Sequence, residues 1–382
     1  MPWRIMEAMD QKIQLIADWK ARCFSIIDLS NKYHVSRPTV YKWVGRYEEL
    51  GLDGLKEQSR APLHNPHRTP EHIISLIVQE KLKNRSRGPK KVYAQLERHY
   101  PDIDVPSPST IGEILKRHGL VHKRKRRFKV PPYTEPFKAC EAPNTVWSAD
   151  YKGQFYTWGA HICYPLTISD NYSRYLLACQ GLAGPRYAQT RTVFEKVFKE
   201  YGLPDAIRVD NGTPFTGKCP GGLSRLSVWW IQLGITPERI DKGCPQQNGR
   251  HERMHRTLKE EAVDPFRCTM QEQQKHFDLF RMEYNNDRPH EALDQNAPNS
   301  YYRKSTKPYT EKRVKPEYDR GYIVRHVLHS GEITFRGTMY SITRLLTGEP
   351  IGLKEIADGQ WKVFYSFHPL GILDERRKKL IK

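Results

Sequence analysis

The sequence predicts a multidomain chain, with all-α helix-turn-helix units first, then an α/β core with a mixed sheet, then a small β-barrel. Three observations carry that expectation. Apolar residues recur at helical spacing through the first third, strand and helix patterns alternate through the middle, and the spacing turns to period two beyond Pro316. At 382 residues the chain exceeds a usual single domain. Its 63 Lys and Arg against 43 Asp and Glu leave a net charge of +20, unevenly spread: residues 1–140 hold 27 basic and 15 acidic side chains, a surplus of 12, and the remaining 242 residues a surplus of 8. Such a surplus favours a nucleic acid partner through counterion release, and it makes the front of the chain the gripping part.

The first domain is expected over residues 1–63. Met6, Met9, Ile13 and Ile16 mark one helix, and Ile26, Ile27, Leu29 and Tyr33 mark a second, short one. Val35-Ser36-Arg-Pro-Thr-Val-Tyr-Lys-Trp43 opens a third, with Ser36 as cap and Pro38 in the first turn. In this helix-turn-helix pattern Arg37, Thr39 and Lys42 would face a DNA groove, although a plain three-helix bundle shares the spacing. A second unit over residues 70–121 repeats it. A helix over 70–84 buries Ile73, Ile74, Ile77 and Leu82, another spans 91–100, and Ser107-Pro-Ser-Thr-Ile111 caps a third through His118, presenting Ser109 and Thr110 to DNA. Residues 122–141 read as a linker. Its run Lys123, Arg124, Lys125, Arg126 and Arg127, followed by Phe128-Lys129 and Pro131-Pro132, suits a phosphate backbone or a minor groove, though such runs are commonly just solvated.

In the core, residues 142–305, strand signals at 145–157, 162–169 and 175–180 suggest an antiparallel meander with Asp170-Asn171 as a turn. A helix over 186–201 follows, then a short strand at 205–210. A helix over 223–233 turns Leu226, Trp229, Trp230 and Leu233 inward, one over 250–262 comes next, and a last spans 270–285. Three acidic residues stand out. Asp150 lies in an apolar, β-prone run, where a carboxylate without a cation nearby is costly. Asp210 closes its strand and Asn211-Gly212 turns the chain, so it projects from a strand end, where sites in α/β sheets gather. Glu252 opens its helix after Pro245-Gln-Gln-Asn-Gly249 and shares a face with His255, Arg256 and Lys259, while Met254 and Leu258 point elsewhere. Arg250, Arg253, Arg256 and Lys259 are candidate phosphate contacts. Singly, each acid reads as a turn residue, a cap or a solvated ion pair. Together, carboxylates converging from separate elements suit divalent metals clamped on a scissile phosphate.

The order and context of these residues resemble a known family. Trp147 and Asp150; Asp170 with Ser173-Arg174; Tyr201-Gly-Leu-Pro204 leading to Asp210-Asn-Gly212 and Phe215; Pro245-Gln-Gln-Asn-Gly249; Glu252-Arg253; Thr257-Leu-Lys259; and Tyr284-Asn285 with Arg288-Pro-His290 are similar to the catalytic core of DDE transposases of the retroviral-integrase superfamily, in particular bacterial insertion-sequence transposases. The resemblance covers roughly two-fifths of the chain. It implies an RNase H-like core whose catalytic triad maps onto Asp150, Asp210 and Glu252. It also implies cleavage at transposon ends followed by strand transfer into target DNA, tandem helical units that read those ends, and a bacterial cytoplasm. Two ends must be coordinated, so a homo-oligomer, a dimer or larger, is expected on double-stranded DNA. One departure from the family is a longer spacing between the second Asp and the Glu. Residues 216–225, rich in Gly and holding Cys219-Pro220, read as a small insertion.

The period-two segments after Pro316 fit a small β-barrel over residues 318–375, similar to the SH3-like module that ends many integrases. The basic tail, residues 376–382, is expected to be disordered rather than to touch DNA. Seven cysteines show no paired spacing and no Cys-x-x-Cys, so a zinc-binding amino-terminal domain like that of retroviral integrases lacks its ligands, and His118 with His122 reads as a polar linker pair. That odd count, with no signal peptide and no apolar run of about 18 residues, is expected of a cytoplasmic protein with no membrane partner. Carboxylates fit Mg2+ better than the scattered His and Cys do. The expectation is two Mg2+ ions, replaceable by Mn2+, on Asp150 and Asp210, with Glu252 completing one shell. One ion would activate water or a DNA 3'-hydroxyl and the other would stabilise the leaving oxygen, with no protein nucleophile. Two other classes fit less well. A DNA-binding regulator with a dead core is opposed by the intact triad, and an RNase H-like nuclease that cuts without joining is opposed by the tandem helical units and the terminal barrel.

Overall fold

The computed structural model describes residues 8–57, 68–121, 137, 139–241, 247, 249–263, 267–311 and 315–381. The chain divides into two compact units, residues 1–68 and 69–382. In the first, α1 (Ala8–Lys20), α2 (Ile26–Lys32) and α3 (Arg37–Leu50) enclose Leu15, Ile16, Leu29, Val40, Trp43 and Val44. Helix α2 starts where Ser25 and Asp28 each bond the other's backbone N–H, a capping box. Ser36 does sit at the start of α3 with Pro38 behind it, but its hydroxyl pairs with that of Thr39 at 2.9 Å and not with the backbone. Ile13 and Ile27, which belong to the apolar patterns that mark these helices, are exposed. The apolar stripe of α1 runs through Met9, Ile16 and Trp19 and leaves Ile13 at its edge, and Ile27 lies one step round the short helix from Ile26 and Leu29.

The core of the second unit is a mixed sheet. Its elements are β1 (Val146–Tyr151), β2 (Phe155–Tyr156), β3 (Ile162–Asp170), β4 (Leu176–Leu182), α7 (Tyr187–Tyr201), β5 (Ala206–Val209), α8 (Arg225–Gln232), β6 (Thr236–Arg239), α9 (Gly249–Leu258) and α10 (Met270–Asn286). Strand β1 lies between an antiparallel β3 and a parallel β5; β6 extends the parallel side, and β2 and β4 pair with β3. Helices cover both faces. Trp147, Ala149 and Ile207 pack with Phe194, Phe198 and Trp230 of α7 and α8, while Cys163, Leu176 and Cys179 pack with Met254, Leu258 and Phe277 on the α9 and α10 side. Asp170 ties the meander together: its carboxylate accepts from the backbone of Asn144 at 2.8 Å and from the backbone and hydroxyl of Ser173 at 2.7 and 2.6 Å.

Helices α4 (Glu71–Lys83), α5 (Pro89–His99) and α6 (Pro108–Arg117) belong to the same unit and close over Ile77, Val92, Leu96, Ile111 and Leu115. Ser107 caps α6 by accepting from Thr110 N. Leu82, expected inside, is exposed, and Glu80 and Lys81 are buried near it. The reason is the turn behind α4: Lys81 Nζ donates to the carbonyls of Arg85 and Arg87 at 2.5 and 2.6 Å, and Glu80 pairs with the fully buried Arg87. A buried charge must be paired, so the charged side chains take the inner positions. Arg87 also reaches Glu283 at 2.8 Å and Asp287 at 3.2 Å, which fastens these helices to the end of α10.

The all-β end comprises β7 (Ile323–His326), β8 (Glu332–Phe335), β9 (Thr338–Ser341), β10 (Pro350–Ala357), β11 (Gln360–Tyr365), β12 (His368–Asp374) and β13 (Lys379–Ile381). Five of these strands form the order β13-β12-β11-β10-β7, beside the β8–β9 hairpin. The tail expected to be disordered instead supplies β13, in register Ile372 with Ile381, because the open edge of β12 offers it backbone partners. The 216–225 insertion has a structural role. Leu223, with Val228 and Ile231 of α8, joins the hydrophobic core of the β-module, Thr343 Oγ1 donates to Cys219 Sγ at 3.4 Å, and His368 Nε2 meets the Gly221 carbonyl at 3.0 Å. Gly221 has φ 63°, and a Cβ there would stand 2.7 Å from the Pro369 carbonyl oxygen. No helix of the described residues is long and apolar enough to cross a membrane, and the six described cysteines are free. Gly221→Val is expected to cost about 1–3 kcal/mol through backbone strain and the clash with Pro369. Limited proteolysis should then cut the 315–381 module faster than in the wild type. Equal cleavage rates would show that the insertion does not hold the module.

Candidate active site

The pairing of β1 with β5 places two of the three acids. Val146 stands opposite Ala206 and Ala149 opposite Val209, in parallel. Asp150 and Asp210 are the next residues on the two strands, so they emerge together at adjacent carboxyl ends. Trp147 and Ala149 turn toward α7 and α8, which sends Ser148 and Asp150 to the opposite face, the one that α9 covers. The Asn211-Gly212 turn holds the second acid. Gly212 N donates to Asp210 Oδ1 at 3.0 Å, Asn211 Nδ2 donates to the Ile240 carbonyl at 2.7 Å, and a Cβ on Gly212 would come within 3.0 Å of the carboxylate.

Glu252 lies in the first turn of α9 and is exposed. Asp150 feels both of the others. Burial first, then the Asp210 charge, and to a smaller degree the Glu252 charge, push the Asp150 carboxyl up to about 7, against a Tyr151 backbone hydrogen bond and Lys152, which pull it down.

Helix α9 is seated by two buried histidines that the sequence reading left unused or misplaced. His255 does not share the exposed face of Glu252, Arg256 and Lys259; it turns inward with His251, Met254 and Leu258. Both Nε2 atoms lie 2.7 Å from the Thr167 hydroxyl on β3, and His251 Nδ1 lies 3.2 Å from Ser169 Oγ. Thr167 carries one hydroxyl hydrogen, so at least one imidazole must donate to it. The signal was present as His-x-x-x-His at i and i+4 on a helix, a spacing that puts both rings on one stripe. Burial keeps both neutral at physiological pH: it pulls His251 down to about 3 and, with His251 and Lys152 beside it, holds His255 well below its ordinary range. Neither ring therefore balances Asp150. His255 Nδ1 stands 3.7 Å from Asp150 Oδ2, and Asp150, His251 and His255 form the one group among the described residues spaced to hold a metal ion. Three of the four ring nitrogens are engaged with Thr167 and Ser169, which leaves His255 Nδ1 as the only nitrogen of the pair turned to Asp150 without a hydrogen bond. That group is one carboxylate and two imidazoles, and Asp210 and Glu252 stand outside it; carboxylate oxygen suits a hard divalent cation, imidazole nitrogen a softer one.

The residues singled out for DNA fall in three places. Arg37 and Lys42 are exposed and Thr39 half-buried on α3, and Ser109 and Thr110 are exposed in the first turn of α6. Arg250, Arg253, Arg256 and Lys259 are exposed along α9 and the π turn that continues it, Arg250 donating to the Asn171 carbonyl at 3.2 Å and Arg253 to that of Gly249 at 3.2 Å. The run Lys123 to Arg127 lies outside the described residues.

Comparison with known proteins covers most of the chain in segments. Integrase core domain models match residues 141–245 and 233–298, a helix-turn-helix domain matches 11–62, a homeodomain-like domain matches 39–115, and the C-terminal domain of IS481 family transposases matches 322–380. An uncharacterized 31.7 kDa protein of insertion element IS407 from Burkholderia multivorans is 26% identical over 252 residues, 64% of this chain and 86% of that protein. The transposase of transposon Tn552 from Staphylococcus aureus is 21% identical over 280 residues, 66% of this chain and 56% of that protein. Among solved structures, the HTLV-2 integrase catalytic core domain in complex with magnesium aligns with a TM-score of 0.34 at 12% identity, over 43% of this chain and all of that one.

Asp150 generates a pH dependence whose sign is fixed. Its carboxyl ionises at 3.8 ordinarily and at about 7 in the fold, so below that window both states are protonated and the group contributes nothing. Through the window stability falls as pH rises, and above it the full penalty stands. Asp150→Asn removes the penalty. The metal-free variant should therefore be more stable than wild type at about pH 8, by up to about 4 kcal/mol, and equal to it near pH 4. Thermal melts at the two pH values check this; a gain of the same size at both would mean that ionisation is not its source.

Proposed function

This chain belongs to the DDE transposases of the retroviral-integrase superfamily, and we propose that it binds the ends of its own insertion sequence and catalyses their cleavage and transfer into target DNA, with Asp150, Asp210 and Glu252 as the metal-binding acids. One observation carries the reading: the β1–β5 register brings Asp150 and Asp210 to neighbouring strand ends, and the charges of Asp210 and, to a smaller degree, Glu252 act on the Asp150 carboxyl, with no Lys or Arg ion-paired to the three among the described residues. An assembly of like charges at strand ends is disfavoured on its own and is relieved by bound cations.

The residues fit two Mg2+ ions, or Mn2+ in their place, because they offer several carboxylate oxygens at a solvent-accessible strand end. The chemistry that bound metal supplies there is activation of the attacking water or 3'-hydroxyl and stabilisation of the leaving oxygen. Asp150 and Asp210 hold their positions because each directly follows the last parallel pair of β1 and β5, and Glu252 holds its position because His251 and His255 seat α9 on Thr167. Arg250, Arg253, Arg256 and Lys259 line the exposed side of the same helix, where they would draw the DNA backbone toward the acids. Arg37, Thr39 and Lys42 on α3, and Ser109 and Thr110 on α6, would read the ends in major grooves. Work on two ends at once implies a homo-oligomer on DNA, in the bacterial cytoplasm. The limits 1–63, 70–121, 122–141, 142–305 and 318–375 are proposed for end-reading, end-reading, linking, catalytic and terminal β domains.

Purified protein, DNA carrying both flanks of its gene, a target plasmid and Mg2+ provide the test. Asp150→Asn, Asp210→Asn and Glu252→Gln should each lower joined product about 10³-fold or more, some 4 kcal/mol of transition-state stabilisation, while still binding the ends; chelation of the metal should do the same. Joining that survives Glu252→Gln would sink the triad. End binding by the wild type with no cleavage in Mg2+ or Mn2+ would favour the regulator.

A further inference from the structure

A cavity of 660 Å3 opens between the α4–α5 turn, the β3–β4 turn, α9 and the residues after α10. That volume lies within the range of pockets that enclose small ligands, roughly 300–1,000 Å3. Its wall is cationic: Arg85 and Lys91 come from the helices before the core, Arg174 from the β3–β4 turn, and Arg250, Arg253 and Arg256 from α9. Other cations at this junction are neutralised, Arg87 by Glu80, Glu283 and Asp287, and Arg288 by Glu261. The six on the wall form no ion pair with a carboxylate among the described residues. The acids nearest Lys91 are already taken, Glu261 by Arg288 at 2.5 Å and Glu291 by Lys90 at 3.0 Å.

The fold holds these charges together at a cost. Burial, with Arg288 and Arg87 alongside, pulls the Lys91 amine down to about 8, and burial with Arg250 and Arg253 pulls the Arg174 guanidinium down to about 10. Two donors or acceptors on the lining are buried without a partner, His290 Nε2 and Arg87 Nε. Gly88 and Pro89 also line the cavity at the start of α5, where no side chain caps the helix, so its positive dipole end adds to the field. Charge concentrated against its own repulsion and unpaired, with Lys91 and Arg174 half-buried at its centre, is the signature of a site completed by an anion.

We propose that this cavity holds the phosphates of a DNA strand against the catalytic domain, with Lys91, Arg174 and Arg250 as its cradle. The inference rests on the reading of the chain as a DNA strand transferase and extends it. Helices α4 to α6 become a fixed wall of the DNA path, not a separately moving reader, because Arg87 fastens them to α10. Recognition at Ser109 and Thr110 is thereby tied in position to the acids.

The test uses the full chain and a duplex of the element's end, titrated by fluorescence anisotropy across 50 to 200 mM salt, a span over which phosphate contacts dominate the change in affinity, each contributing a slope of about 0.9. Lys91→Met removes a charge that the free fold disfavours, so its melting temperature without DNA should equal or exceed that of the wild type. Its DNA affinity should fall several-fold, with the salt slope lower by about one phosphate contact, and Lys91→Arg should restore both. Unchanged affinity and slope in Lys91→Met would overturn the proposal, as would a loss that tracks a lower melting temperature and resists Lys91→Arg. A deoxynucleoside triphosphate that raises the wild-type melting temperature without competing with the duplex would assign the cavity to free nucleotide and overturn it too. Joining by the wild type, run in parallel with Glu252→Gln, separates the two readings: wild-type joining with an indifferent Lys91→Met defeats only the cavity, and absent joining defeats the functional reading itself.

Discussion

The parallel pairing of β1 with β5 is the constraint on which the rest of the structure depends. A one-residue slip would send Asp150 to the α7–α8 face, where Trp147 and Ala149 now pack, and would part it from Asp210. The register is held from both sides. Trp147 and Ile207 lock the hydrophobic face against Phe194, Phe198 and Trp230, and Asp170 closes the meander by taking three hydrogen bonds from Asn144 and Ser173. Asp170, in the same segment, is therefore structural, and the acids proposed for the chemistry are the two at the strand ends.

What that register creates is electrostatically unfavourable. Two carboxylates stand together, a third is brought by α9, and the buried rings beside them are neutral. The same pattern recurs at the basic cavity, where Lys91 and Arg174 are held among like charges. Hydrophobic packing elsewhere in the sheet supports both concentrations of charge, and the proposed ligands, cations at the strand ends and phosphates in the cavity, are of the sign that would relieve each and so add to stability.

Much of this was legible from residue order. The strand, turn and helix that carry Asp150, Asp210 and Glu252 were legible because the signals around each are local, and local chemistry is what a sequence displays. The helical front, the meander and the period-two end were visible for the same reason. The misreadings share a different cause, since each depends on partners far away in the chain. His255 was assigned to the exposed face of α9 because nothing near it in sequence announces Thr167 on β3. Leu82 was placed inside because the need of Arg87 for Glu80, Glu283 and Asp287 is invisible locally. Strands β6 and β10 lack clean alternation, and the tail becomes β13 only because β12 presents an edge. The Gly-rich insertion looked like a loop, and its role appears only where Gly221 meets His368 and Pro369.

Three carboxylates, and not the Asp150, His251 and His255 group, are proposed as the metal site. Counting Mn2+ bound per chain on an end duplex, with electron paramagnetic resonance to read nitrogen coupling to the bound ion, tests that assignment most directly. Two ions per active site are expected, oxygen-ligated, with at least one lost on Asp210→Asn or Glu252→Gln. A single ion with histidine nitrogen coupling, bound equally well after both substitutions, would contradict it.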